Sequence, residues 1–325
     1  MSSVDMVEIW RGPFLESLHQ GYAVVCDASG GIVDAWGDPD HVILPRSSSK
    51  MLQALPLVRS GAADQFGLTT AQLALCCASH NGAAIHSEPV ARWLADLGMS
   101  DDDLRCGSQE PADIPARDAL IKSDTTPCQM HNNCSGKHCG FLTYGKFLGA
   151  GPEYVEPDHP VQIAVKDAFE EITEMESPGF GVDGCSAPNY AASMHGIARA
   201  MAKFAAAPDG SAEYRLRTAM MTHPELVAGE TRACTDLMRA MPGKLAVKTG
   251  AEGVFVGILP DQKLGFVVKA ADGTTRAAEA VTAGLLARYG VLPTDAPILK
   301  RFVNAPIRNR AGLETGQMRL VPGIV

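Results

Sequence analysis

The stretch Leu44-Pro45-Arg46-Ser47-Ser48-Ser49-Lys50-Met51-Leu52-Gln53-Ala54-Leu55 joins a loop to the start of a helix. Pro45 favours the loop, the serines are typical N-cap residues, and an apolar run follows. A helix that begins near Ser47 would place Ser47 and Lys50 on one face, with a hydroxyl beside an amine at the positive helix end. Such a pair is suited to nucleophilic catalysis. The alternative is that the serines only cap the helix and Lys50 is a solvated surface residue, because Ser-x-x-Lys is a common pattern.

Strand patterns lie near both ends of the chain and helical periodicity lies between them. Residues 23–26 and 32–36 flank a Gly-rich turn and predict a hairpin, and 254–259 and 264–269 predict a second one. Helices are predicted after the capping-box residues Thr69 and Gln72, over 88–97, from Pro160, after Pro188, over 212–221 and 230–241, and from 276 to 289. The pattern predicts an α/β (α+β) fold in which early and late strands share one antiparallel sheet covered by helices. We expect one domain over residues 1–325, with sheet-bearing parts at about 1–45 and 244–325 and a helical, loop-rich middle at about 46–243.

Composition narrows the classes of function. The chain has 325 residues and a formal net charge of −9, which argues against nucleic acid or an anionic membrane as a partner. No apolar run is long enough to span a bilayer, and the N-terminus lacks the features of a signal peptide, so we expect a cytoplasmic protein. The nine cysteines are therefore expected to be packed thiols or metal ligands and not disulfides.

Residues 106–151 show weak periodicity and many Gly, Pro, Asn and Cys residues. A loop-rich stretch of this length is usually functional or held by a bound group. It contains His131-Asn132-Asn133-Cys134-Ser135-Gly136-Lys137-His138-Cys139-Gly140, the densest group of potential ligands in the sequence.

Three short motifs follow one another along the chain: Ser47-x-x-Lys50, then Ser79-His80-Asn81, then Lys248-Thr249-Gly250 on a predicted strand. Their order resembles that of penicillin-recognising serine hydrolases and implies a serine β-lactamase/penicillin-binding-like fold with an acyl-enzyme mechanism. Each motif also has a simpler interpretation, since Ser79-His80-Asn81 could end a helix and Lys248-Thr249-Gly250 could be a polar strand end. The first two motifs are closer together than in β-lactamases, and no export signal is found.

Longer blocks show a more specific resemblance. The stretches 45–50, Cys77-Ala78-Ser79-His80, 134–140, Val182-Asp183-Gly184-Cys185 and 248–253 together resemble the asparaginase II family of the Rhizobium etli type. The likeness covers essentially the whole chain. It implies an amidohydrolase that splits the side-chain amide of L-asparagine into L-aspartate and ammonia, and a homodimer.

The resemblance implies two serine–lysine pairs in one pocket, Ser47 with Lys50 and Ser79 with Lys248. Two neighbouring lysines would repel each other, which would leave one amine neutral enough to accept a serine proton. We favour Ser47 as the nucleophile, with Ser79 as the alternative. Lys248 is chosen over the nearby Lys244, Lys263 and Lys269 because of its strand-and-glycine context.

The resemblance also implies a zinc ion held by Cys134, Lys137 and Cys185, with water in an open position. Thiolates are ordinary zinc ligands, whereas lysine is unusual and must lose its proton to bind. Composition alone would have suggested His138 or Cys139 as ligands. The alternative is that Cys134 and Cys139 are packed thiols in a Gly-rich loop.

Three further residues are candidates for substrate binding. Arg46 and Asp183 would suit the α-carboxylate and the α-ammonium of an amino acid, and His138 would contact the substrate or support the metal. Arg46 and Asp183 could equally belong to structural ion pairs. A glutamate that we expect in this family after Ser79-His80 is absent from Asn81-Gly82-Ala83-Ala84, so specificity could differ here. The alternatives to an asparaginase are a serine amidase for glutamine or another ω-amide, and an inactive zinc-binding protein of the same fold.

Overall fold

The computed structural model describes residues 2–324, which form a mixed α/β structure. The strands are β1 (Val4–Arg11), β2 (Phe14–Cys26), β3 (Ile32–Trp36), β4 (Val42–Ile43), β5 (Phe180–Val182), β6 (Pro188–Tyr190), β7 (Ala192–Ser193), β8 (Ala246–Gly250), β9 (Val254–Leu259), β10 (Leu264–Ala270), β11 (Pro306–Arg308) and β12 (Glu314–Leu320). The helices are α1 (Lys50–Gln53), α2 (Leu55–Arg59), α3 (Ala62–Gln65), α4 (Thr70–Cys76), α5 (Ala84–Asp96), α6 (Ile114–Lys122), α7 (Ser135–Leu148), α8 (Pro160–Thr173), α9 (Met194–Ala206), α10 (Ala212–Thr222), α11 (Pro224–Ala228), α12 (Ala233–Ala240), α13 (Thr275–Arg288) and α14 (Leu299–Phe302).

The chain divides into two compact units. The sheet unit contains the residues up to Ser48, Ala192–Ala206, and the residues from Asp236 onwards. The helical unit contains Ser49–Ala191 and Ala207–Thr235.

The sheet unit is built on one antiparallel sheet with the strand order β11-β12-β1-β2-β10-β9-β8, and β3 also pairs with β2. The long strand β2 pairs with β1 in its first half and with β10 and β3 in its second half. Helices α9 and α13 pack against the central strands β9 and β10. Gly265 permits the close approach of α9, because a Cβ at this position would lie 2.0 Å from the backbone nitrogen of Ala202. The prediction of an α/β fold in which early and late strands share one antiparallel sheet is confirmed.

The helical unit surrounds α7, in which every residue from Ser135 to Gly145 is buried. Gly136 and Gly140 let α4 pack closely against it. A Cβ on Gly136 would lie 2.6 Å from the carbonyl oxygen of Leu75, and one on Gly140 would lie 2.8 Å from the Sγ of Cys76. A helix buried on all sides has no polar face, and its sequence therefore shows no amphipathic period.

Two local predictions need correction. The stretch 106–151, expected to be loop-rich, contains helices α6 and α7, and the glycines of the ligand-rich segment are packing positions in α7 and not turns. The helix expected to begin near Ser47 is a 3-10 turn, Arg46–Ser49, followed by the short helices α1 and α2. The serines provide no side-chain cap to α1.

Most other predicted elements are confirmed within a few residues, including both hairpins, α8, α9, α10 and α13. The capping box of Thr69 and Gln72 is present with both of its hydrogen bonds. No helix within residues 2–324 combines the length and the apolar character needed to cross a membrane.

Candidate active site

Ser47 lies in the 3-10 turn Arg46–Ser49 of the sheet unit. Arg46 precedes it with φ of 53°, a left-handed conformation that a non-glycine residue adopts only at a cost in strain. The next residue, Ser48, is buried and its hydroxyl donates to the carbonyl oxygen of Pro45 at 2.7 Å. The hydroxyl of Ser47 is half-buried and has no hydrogen-bond partner among residues 2–324. Of the two neighbouring hydroxyls, that of Ser47 is the one available to react.

Strand β8 approaches the same turn within the sheet unit. A Cβ on Gly250 would lie 2.6 Å from the carbonyl oxygen of Pro45 and 3.1 Å from the backbone nitrogen of Ser48. Lys248, two residues earlier, is completely buried, and its amine donates to the carbonyl oxygen of Thr249 at 2.6 Å. A buried amine on the strand that contacts this turn distinguishes Lys248 from the other late lysines.

Those other lysines lie on or near the surface. Lys244 is exposed and forms an ion pair of 2.6 Å with Asp261. Lys269 donates to the carbonyl oxygen of Glu252 in an exposed contact. Burial lowers the pKa of Lys269, but this side chain is only half-buried, whereas that of Lys248 is completely buried.

In the helical unit, Lys50 begins α1 and its side chain is 1% exposed. Its amine donates to the carbonyl oxygen of Ala78, the residue before Ser79, and lies 3.1 Å from the Sγ of Cys134. Lys50 thus connects the Ser79 segment to the predicted metal ligands.

The predicted zinc ligands lie together in the helical unit. Cys134 is the N-cap residue of α7, Lys137 lies in its first turn, and Cys185 lies in the turn between β5 and β6. The amine of Lys137 lies 3.1 Å from the Sγ of Cys185, and the Sγ of Cys134 lies 2.8 Å from the Oδ1 of Asn133. All three side chains are buried. The helix N-terminus and two nearby lysines make this a favourable environment for a thiolate.

The pKa values show how charge is divided between the two thiols. A hydrogen bond from Cys134 and the positive charge of Lys137 hold the pKa of Cys185 well below its usual value, although burial opposes this. The same hydrogen bond, together with burial, raises the pKa of Cys134 well above its usual value. Burial lowers the pKa of Lys137, but the charges on Cys185 and Cys134 outweigh it and raise that pKa. Cys185 is therefore the thiolate of the pair, and Lys137 is its cation.

His138 and Asp183 adjoin this group. The hydroxyl of Tyr154 accepts from the backbone nitrogen of Arg105 at 2.7 Å and lies 2.9 Å from His138 Nδ1, to which it donates. The proton of His138 therefore resides on Nε2, which is buried and faces the sulfur of Cys185. Burial lowers the pKa of His138, so its imidazole is neutral. The half-buried Asp183 begins the turn that holds Cys185, and its charge acts on Lys137.

The donor set fits a zinc ion. Two buried sulfurs beside amines form a site in which a cation would replace the proton that Lys137 now carries. Within residues 2–324, no group of three or more His, Cys, Asp or Glu side chains is arranged to hold a metal. The predicted set consists of two cysteines and a lysine, and so is not a group of this kind.

The structure places the predicted site residues in both units. Arg46, Ser47 and Lys248 belong to the sheet unit, and the remaining ones belong to the helical unit: Lys50, Ser79, Cys134, Lys137, His138, Cys185 and Asp183. Sequence reasoning missed the contacts of Tyr154, Asn133 and Ser135, because a lone Tyr, Asn or Ser carries no recognisable spacing.

The family model described as L-asparaginase II matches residues 7–320. A search of curated proteins finds no match.

Several solved structures are similar to this chain at low identity. Mglu in its native form shares 14% identity with a TM-score of 0.46, covering 89% of this chain and 69% of that one. A β-lactamase from Mycobacterium bovis shares 14% with a TM-score of 0.36, covering 83% and 94%. The octameric penicillin-binding protein homologue from Pyrococcus abyssi shares 14% with a TM-score of 0.39, covering 94% and 84%. TM-scores below 0.5 are too low for any chemistry to be inferred from these structures.

The family match is of a different kind, because it extends over nearly the entire chain. It includes the Ser47 turn, the Ser79 segment, the ligands around α7 and strand β8. The chain therefore belongs to the L-asparaginase II family, and it is an amidohydrolase.

Proposed function

We propose that this protein hydrolyses the side-chain amide of L-asparagine to L-aspartate and ammonia. The observation that carries the proposal is the L-asparaginase II match over residues 7–320, which contains every predicted site residue. The geometry adds a serine with an available hydroxyl, two fully buried lysines and a thiol cluster that fits zinc.

Ser47 is the nucleophile in this mechanism. Its Oγ attacks the side-chain carbonyl carbon of asparagine while the amine of Lys50 takes the hydroxyl proton. Backbone N–H groups stabilise the tetrahedral oxyanion. Its collapse breaks the C–N bond, the lysine returns the proton to the leaving nitrogen, and ammonia departs from a β-aspartyl ester on Ser47. Water then attacks the ester with the same amine as base, releasing aspartate and restoring the serine.

Ser79 and Lys248 form the supporting pair. Lys248 is completely buried on β8, and its amine donates to the carbonyl oxygen of Thr249. In this proposal its pairing with Ser79 assists the proton transfers. The resemblance to the family supports this pairing.

Cys134, Lys137 and Cys185 would hold the zinc ion, whose chemistry when bound is to fix or polarise a ligand in its open position. His138 would contact the substrate or support the metal, because its buried imidazole adjoins Cys185. Arg46 would bind the α-carboxylate of asparagine and Asp183 its α-ammonium group. The glutamate expected after His80 is absent. Discrimination between asparagine and glutamine would then depend on how well the pocket fits one additional methylene, a difference of about 1–3 kcal/mol in binding free energy.

Release of ammonia from L-asparagine and from L-glutamine, measured in parallel on zinc-loaded protein, tests the substrate. We expect faster turnover of asparagine. Addition of hydroxylamine tests the covalent intermediate, because an acyl-enzyme partitions to β-aspartyl hydroxamate at the expense of aspartate. Absence of ammonia from either amide would rule out the proposed function, and faster glutamine turnover would make the protein a glutaminase.

The family resemblance also supports a cytoplasmic homodimer. Light scattering coupled to size-exclusion chromatography tests the subunit number. A mass equal to one chain of 34.3 kDa would contradict it.

A further inference from the structure

His80 lies between two parts of the candidate site and has no assigned role. Its side chain is buried, and its Nδ1 accepts from the backbone N–H of Gly82 at 3.2 Å. Its Nε2 lies 3.0 Å from the Oγ of Ser135, and that hydroxyl donates to the carbonyl oxygen of Met130 at 3.0 Å. Because Nδ1 accepts, the proton resides on Nε2, which donates to Ser135. One tautomer of the neutral imidazole satisfies every partner.

The imidazole of His86 covers one face of this ring. The two centroids are 4.6 Å apart and the ring planes differ by 6°. His86 Nε2 donates to the carbonyl oxygen of Glu225 at 2.9 Å, and its Nδ1 is buried without a partner among residues 2–324. The stacking contact holds the plane of the His80 ring, and in that plane Nε2 points toward the hydroxyl of Ser135.

The backbone around His80 is tied to three separate segments. The backbone N–H of Ser79 donates to the carbonyl oxygen of Val227 at 2.8 Å, and that of His80 donates to the carbonyl oxygen of Asn133 at 3.1 Å. The carbonyl oxygen of Asn81 accepts from the backbone N–H of Asp113 at 2.9 Å. His80 is thus bonded through both its backbone and its side chain to residues that flank Cys134.

We propose that His80 is a positioning residue that couples the Ser79 segment, residues 78–83, to the ligand segment, residues 130–135. The bond from His80 to Ser135 holds the first turn of α7 in register with Ser79. It therefore sets both the orientation of the Cys134 thiol and the placement of the Ser79 hydroxyl. The catalytic part of this inference rests on the proposed function, whereas the structural coupling does not.

Two substitutions of His80 separate its two hydrogen bonds. His80→Gln places an amide N–H near the position of Nε2 and keeps the bond to Ser135. His80→Asn places an amide oxygen near the position of Nδ1 and keeps the bond from Gly82 but does not reach Ser135. We expect His80→Asn to lose about 10- to 100-fold in zinc affinity and kcat, as other residues that orient a ligand do, and His80→Gln to lose less.

Ser135→Ala removes the acceptor, and Thr143→Val is its matched control. Thr143 lies on the same helix, is also buried, and its hydroxyl accepts from the indole N–H of Trp93 at 3.1 Å. Both substitutions delete one buried hydroxyl and leave one donor without a partner. We expect both to lower thermal stability, but only Ser135→Ala to lower zinc affinity and kcat at an unchanged KM.

Amide hydrogen exchange tests the coupling without any assumption about function. Ser135→Ala should accelerate exchange in residues 78–83, and Thr143→Val should leave that segment unchanged. The inference is overturned if Ser135→Ala and Thr143→Val have equal effects on exchange in residues 78–83. It is also overturned if His80→Asn retains as much zinc as His80→Gln. A wild-type protein without amidase activity would refute the proposed function alone, because exchange and zinc binding would still decide the coupling.

Discussion

The two serine-bearing segments of this protein are held in different ways. In the sheet unit, Ser47 follows a residue in a left-handed conformation and its hydroxyl has no hydrogen-bond partner among residues 2–324. In the helical unit, the segment around Ser79 is tied by backbone hydrogen bonds to Val227, Asn133 and Asp113. Backbone strain and an available hydroxyl are typical of a residue that reacts, whereas a segment held by several hydrogen bonds is typical of one that positions other groups. The contrast favours Ser47 over Ser79 as the nucleophile.

Replacement of Ser47 by alanine has the largest expected effect. Loss of the nucleophile should lower kcat for asparagine by about 10⁴-fold or more, because the covalent route is removed entirely. Steady-state ammonia release measures this. Ser48→Ala is the control, since that hydroxyl already donates to Pro45 and its loss should cost about 1 kcal/mol of stability with little change in kcat.

Ser79→Ala sharpens the same comparison. Loss of the hydroxyl of a residue that assists proton transfer should lower kcat by about 100-fold and leave hydroxamate formation detectable. If Ser79→Ala is instead the inactive variant and Ser47→Ala retains turnover, the assignment of the nucleophile is reversed.

The lysines give the next largest effect. Lys50→Met and Lys248→Met each remove a buried amine, and loss of a general base typically costs about 10²- to 10⁴-fold in kcat. We expect Lys50→Met to be the more severe, because Lys50 also contacts Cys134 and the carbonyl oxygen of Ala78. Lys244→Met, which breaks only an exposed ion pair with Asp261, should leave kcat unchanged. Full activity of Lys50→Met would remove Lys50 from the mechanism.

Much of the sheet unit could be predicted from sequence. Its hairpins have turn residues between alternating or apolar strands, and Lys248-Thr249-Gly250 could be placed on a strand because an obvious hairpin follows it. The strand β1 was not predicted, and β2 begins nine residues earlier than the predicted residue 23, at Phe14. In β1 and in the first half of β2, apolar and polar residues alternate too weakly for a strand to be recognised from the sequence alone.

The helical unit was predicted less well where the predicted metal ligands lie. Gly136 and Gly140 suggested a loop, yet they are the positions at which α4 approaches α7. The choice of Lys137 over His138 or Cys139 as a ligand came from family resemblance, because no rule of spacing selects a lysine. The tie between His80 and Ser135 links residues 55 positions apart, and no local pattern encodes such a contact.

The cysteine ligands give a smaller effect on activity but a clear effect on metal binding. Cys185→Ala removes the thiolate that faces Lys137 and should lower zinc affinity by at least about 100-fold, the upper range for residues that only support a ligand. Cys139→Ala is the matched control, because Cys139 is a buried thiol on α7, the helix of Lys137, and burial raises its pKa. Competition with a chromophoric chelator measures both. Equal zinc affinities of the two variants would contradict the ligand set, and a wild-type protein that binds no zinc would refute the metal site.

The smallest effect concerns pH and the stacked histidines in the helical unit. Burial lowers the pKa of His80 well below its usual value of 6.5, and it also lowers the pKa of His86. Both are neutral in the folded protein, whereas in the unfolded chain they bind protons below about pH 6.5. Their effect on the free energy of unfolding is therefore constant above that pH. Below it, the free energy of unfolding decreases by up to about 1.4 kcal/mol per pH unit for each proton taken up on unfolding.

Urea unfolding of the wild type and of His86→Gln between pH 8 and pH 5 measures how much His86 contributes to the pH dependence of the free energy of unfolding, because the carboxylates are the same in both proteins. His86→Gln removes one of the two protons taken up on unfolding, so the stability of the variant should fall less steeply below pH 6.5. Parallel slopes would mean that His86 is protonated in the folded state, where its ring would lie against His80 as a buried cation. That outcome would also undermine the neutral tautomer of His80, since a charged ring 4.6 Å away would favour a different arrangement of its protons.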